Sequence, residues 1–234
     1  MRPVSAALVL GASIGALVLA SGAAAAHGLA EGDKEFIVNN PGAHVVPFLY
    51  LGAKHMATGY DHLLFLVGVV FFLYKLRDVA IYVSMFTLGH SATLLLGVFA
   101  DLQVSAYLID AIIGLSVVYK GFDNLGGFQR LLGFQPNTKA AVLVFGLFHG
   151  FGLATKLQEF DLPAKGLVTN ILSFNLGVEI GQFLALGVIL IFLSWWRTLS
   201  SFDRGAFATN TLLMAGGFVL TGYQLAGYIL GGAS

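Results

Sequence analysis

No cysteine occurs anywhere in the chain. Disulfides, thiolate metal ligands and cysteine nucleophiles are therefore excluded. Charge is scarce too: only 10% of the 234 residues are Asp, Glu, Lys or Arg, against roughly 25% in a soluble domain. Basic and acidic side chains cancel at twelve each, so no net field draws in nucleic acid. No nucleotide-binding P-loop is present, which argues against direct ATP drive. What remains is apolar: 57% of residues are hydrophobic, and the mean hydropathy is +0.85. Such a surface has lipid as its natural solvent.

The pattern predicts an all-α polytopic membrane protein. Arg2, the apolar run Val4 to Ala20 and the small residues Ala23 to Ala26 read as a cleaved signal peptide over 1–26. Cleavage there leaves His27 at the mature N-terminus, where amine and imidazole together make it a weak candidate metal ligand. A short polar periplasmic arm follows over 27–45, and a membrane domain over 46–231. Six spans of about 20 residues are expected, at 57–75, 79–99, 104–120, 139–156, 167–196 and 208–230, the first preceded by a short amphipathic or re-entrant piece at 46–55. Lys and Arg favour the alternate loops that a translocated N-terminus places inside, by seven to four. Both termini are thus expected on the periplasmic side of a bacterial inner membrane. Trp195 and Trp196 stand where an interfacial aromatic belt belongs. Gly114, Gly146, Gly150, Gly152, Gly177, Gly181, Gly216 and Gly217 are expected at close helix contacts.

Ionisable residues inside these spans are expensive, by at least ~2.5 kcal/mol each at mid-membrane on insertion scales, so they invite a functional reading. The first span carries His55, Asp61 and His62 around Gly59, whose freedom makes a helix break plausible. The second has His90, the third Asp110 and the fourth His149. Asn175, Glu179 and Gln182 form one stripe on the fifth. The primary metal-ligand candidates are His55, Asp61, His62, His90, His149 and Glu179, with Asp110, Asn175 and Gln182 as secondary polar residues. Imidazole and carboxylate without thiolate suit borderline divalent ions such as nickel, cobalt or zinc.

His55-x-x-x-Gly59-x-Asp61-His62, Phe86-Thr87-Leu88-Gly89-His90-Ser91, Phe148-His149-Gly150 and Phe174-Asn175-Leu176-Gly177-Val178-Glu179-Ile180-Gly181-Gln182 occur in this order. Together they resemble the HupE/UreJ family over about residues 44 to 230. The resemblance implies a nickel or cobalt permease in a nickel-enzyme maturation setting, with metal ion and lipid bilayer as its partners and no enzymatic activity. Hydrogenase-linked members start the first motif with His-Pro, whereas Lys54-His55-Met56 stands here, as in a sister branch. Two other readings use the same residues. A zinc hydrolase would need His62, His90 and His149 within about 4 Å of one point, with Glu179 as general base. A structural or assembly subunit would satisfy the histidines internally.

Overall fold

The computed structural model describes residues 42–102, 104–158 and 165–231, and every regular element among them is a helix. The expected signal peptide, most of the arm and His27 lie outside the described residues. In chain order the helices are α1 (Val45–Thr58), α2 (Tyr60–Val70), α3 (Leu76–Phe99), α4 (Ala106–Asn124), α5 (Gly127–Leu132), α6 (Thr138–Gln158), α7 (Leu167–Trp196) and α8 (Phe202–Gly231). Four of them, α3, α6, α7 and α8, are long and apolar enough to cross a membrane. The 19-residue α4 has the length but also carries Asp110, Lys120 and Asp123.

The first expected span is the one the structure redraws. Instead of a helix over 57–75, two shorter helices meet at Gly59, whose backbone is extended (φ −73°, ψ 95°). The piece expected at 46–55 is the body of α1, a full helix of 14 residues. The broken element is tied to α7 at both ends. Near its start, the His44 backbone N–H donates to Asn170 Oδ1 (2.8 Å), while Asn170 Nδ2 donates to Gly42 O (2.7 Å). At its finish, the Arg197 guanidinium donates to Val70 O (2.8 Å) and Phe71 O (2.6 Å), capping the C-terminal end of α2.

Three helix pairs make the tightest contacts: α1 with α7, α3 with α6, and α4 with α8. Each relies on glycine. A Cβ on Gly89 would strike the Leu143 carbonyl and come within 2.9 Å of Leu147 N. Gly146 lies in the same way against Phe86 O, and Gly52 against Phe174 O. In lipid, where apolar burial drives association weakly, such backbone approach supplies packing. Gly216 is the exception among the expected contact glycines, with nothing within 4 Å of a built Cβ.

Side-chain hydrogen bonds add polar ties. Asn124 Nδ2 donates to Gly68 O and Asn210 Oδ1, both at 2.8 Å, joining α2, α4 and α8. Thr93 Oγ1 donates to Leu147 O (2.7 Å) between α3 and α6. Trp196 departs from the expected belt: it is buried against Phe71 and Phe202, with ring centroids 5.8 and 5.4 Å away. Trp195 is exposed, as a belt residue should be.

The glycine contacts make a stability prediction. Gly89→Ala should destabilise the purified protein by about 1–3 kcal/mol through overpacking. Gly216→Ala should be neutral or stabilising by up to about 1 kcal/mol, because only helix propensity changes there. Thermal melts in one detergent compare the two.

Candidate metal centre

The break at Gly59 builds the centre. Seven residues of continuous helix would separate His55 from His62 by about 10.5 Å along the axis. Here α1 stops one turn after His55, with Gly59 N–H donating to His55 O (2.8 Å), and α2 restarts with Asp61 and His62 in its first turn. The two imidazoles end up edge to face, with centroids 5.3 Å apart.

His62 is the hub. Its ring centroid lies 4.9 Å from that of His149 on α6 and 5.8 Å from that of His90 on α3. The reason for this meeting is again backbone contact: a Cβ on Gly150 would run into the His90 carbonyl, so the helices touch where both histidines sit. All four histidines and Asp61 are buried, none more than 4% exposed.

Hydrogen bonding orients the rings. His149 Nδ1 stands 2.7 Å from Phe145 O. A carbonyl only accepts, so Nδ1 carries the proton and the neutral ring keeps its lone pair on Nε2. That Nε2 is buried with no hydrogen-bond partner among the described residues, and the same is true of His90 Nε2. His62 Nδ1 lies 3.3 Å from Asp61 Oδ1. An ionised Asp61 can only accept there, which directs the His62 lone pair to Nε2. Carboxylate and backbone partners of this kind fix the tautomer of a ligating imidazole. The donors are gathered without forming a closed cage: among the described residues, no group of three or more His, Asp or Glu is arranged to hold a metal ion.

The other candidates lie on α7 and α4. Glu179 is partly exposed and makes no hydrogen bond or ion pair among the described residues. Its neighbour Gln182 is buried and accepts from Thr87 Oγ1 (3.3 Å) on α3. Asn175 is half-buried one turn earlier. Asp110 pairs with Lys156 Nζ (2.8 Å) and accepts from Gln224 Nε2 (3.3 Å). The partnership of Asp110 with Lys156 spans 46 residues and has no local signature in the sequence. Lys120 likewise sits on α4, buried and paired with Asp123 at 2.7 Å. Sequence reasoning also missed the aromatic wall: Phe86 lies 5.0 Å from the His149 ring and Phe65 lies 5.3 Å from it. The only local signal was Phe86 four residues before His90 and Phe65 three after His62.

The HupE / UreJ protein family matches residues 31–231, most of the chain and every side chain just described. The chain belongs to the HupE/UreJ family. It is accordingly a membrane protein with a metal-transport or accessory role, and the family's members are not enzymes. This sets aside the hydrolase reading. No curated protein and no solved structure matches the chain.

The Asp110–Lys156 pair should matter for folding. Lys156→Met, which withdraws the cation from a buried carboxylate, should cost about 3 kcal/mol. Adding Asp110→Asn, which keeps an acceptor for Gln224, should restore part of that. Unfolding of the single and double variants in detergent measures both.

Proposed function

We propose that this HupE/UreJ protein is a facilitator that passes a divalent transition metal, nickel or cobalt ahead of zinc, from periplasm to cytoplasm. The observation that carries the reading is the gathering of His55, His90 and His149 around His62, with the Nε2 atoms of His90 and His149 buried and unpartnered among the described residues. Neutral imidazole nitrogens that carry a lone pair are ligands for borderline divalent ions, and the missing thiolate argues against softer cargo. The lack of a preformed cage also fits transport. A permeating ion needs sites strong enough to replace part of its hydration and loose enough to release it.

In this reading the chain crosses the bilayer six times: once as the broken α1–α2 element, then as α3, α4, α6, α7 and α8. Residues His55 and Asp61 stand toward the periplasmic mouth, with His62, His90 and His149 deeper. Glu179, Asn175 and Gln182 are accessory polar groups on the neighbouring α7. A signal-like start and loop cations, still six to three in favour of the inside once the buried Lys120 and Lys156 are set aside, support that orientation. A maturation pathway for a nickel enzyme is the corresponding setting.

Uptake of nickel, cobalt and zinc into proteoliposomes tests the proposal. Wild type should accumulate at least one of them, and His62→Ala should lose most of that flux. Equal uptake of all three ions by both proteins overturns it.

A further inference from the structure

Three helices repeat one order of side chains along their inward faces. On α2, His62 is followed by Phe65 one turn on and Val69 two turns on. On α3, which runs the opposite way, His90 is preceded by Phe86 and Val83 at the same intervals. On α6, His149 is preceded by Phe145 and Val142. The bundle therefore stacks a histidine layer, a phenylalanine layer and a valine layer. The phenylalanine layer is closed. Phe65 lies 5.4 Å from Phe86 and 5.8 Å from Phe145, centroid to centroid, which is ordinary aromatic contact with no passage of water width between rings. Phe65 and Phe86 are buried, and Phe86 also stacks on His90 at 6.0 Å.

A small cavity of about 10 Å³ lies beside the contacting rings. His62 lines it from the first, Phe65 and Phe86 from the second, and Val69, Val83 and Val142 from the third. Such a volume is near the lower limit for one water molecule, and its apolar walls offer too few partners to hold one well. A hydrated cation cannot cross it, and of its lining side chains only His62 and Tyr82 carry a nitrogen or oxygen.

We infer that Phe65, Phe86 and Phe145 form a hydrophobic gate that closes the histidine centre from the end of the bundle where α2 turns into α3, and that displacement of the Phe65 ring opens it. The inference rests on the transport reading for its cargo, but the gate itself is a statement about any small cation. Hydrophobic constrictions gate by excluding water, so closure needs no charged latch. Phe65 is the ring shared by both contacts, and it borders the cavity.

The test uses the full-length protein in liposomes with two readouts, nickel uptake and leak of sodium into a trapped sodium-sensitive dye. Wild type should be tight to sodium. Phe65→Ala, which removes both ring contacts, should raise sodium leak by about tenfold. Phe145→Ala should do so less, and Phe65→Trp should slow nickel uptake. If Phe65→Ala is not monodisperse after purification, Phe65→Leu is compared instead, with a smaller leak expected. Sodium leak unchanged within about twofold in every folded variant overturns the gate. Leak through Phe65→Ala with no nickel uptake by wild type keeps the gate and overturns the cargo. Absence of both overturns both.

Discussion

Helices in this protein touch backbone to backbone, and the placement of His90 and His149 depends on that contact. Gly89 and Gly146 let α3 and α6 approach until no side chain fits between them, and Gly150 rests against the carbonyl of His90 itself. Were these positions to carry side chains, the helices would stand apart by at least a methyl group on each side. His90 and His149 would no longer reach the same partner. In lipid there is little apolar driving force to compensate, because the tails solvate leucine as well as another helix does. Fine packing at a few glycines therefore decides the geometry of the polar centre.

The second constraint is polar satisfaction. Buried charges here come paired or oriented: Asp110 with Lys156, Lys120 with Asp123, Asp61 with His62. Pairs of this kind answer the desolvation of an ion in a low-dielectric interior, and they are strongly coupled because one partner alone would be left charged. The histidines follow a different rule. They can be buried as neutral rings, and a neutral ring retains a donor and an acceptor face. That is why imidazole, rather than carboxylate, furnishes the lone pairs at the middle of this bundle.

Much of the fold was legible in the sequence, because hydropathy responds to length and composition. The expected 167–196 coincides with α7, and 79–99 falls within α3. The first span failed because a hydropathy window averages across a break, although Gly59 between two histidine-bearing segments pointed to it. Trp196 failed for a related reason: its neighbours Phe71 and Phe202 are distant or across a turn, and a window cannot tell an interfacial ring from a packed one. At the site, the motif order led to His55, Asp61, His62, His90 and His149. It also nominated Glu179, which belongs to the same stretch of motif and is partly exposed on α7. The partnership of Asp110 with Lys156 and Gln224, over separations of 46 and 114 residues, is set by tertiary packing and leaves no periodic trace.

The ties from α7 to the broken element have a mechanical consequence. Asn170 near the start of α7 holds the chain just ahead of α1, and Arg197 just past its end holds the finish of α2. The long helix is thus a strut spanning a jointed arm whose two ends are pinned. The α1 half also lies backbone to backbone on the strut through Gly52, which leaves bowing of α2 at Gly59 as the freedom of the arm. Because His55 flanks the joint on one side and Asp61 and His62 on the other, any such bowing changes the spacing of those side chains first and disturbs the ends of the bundle last.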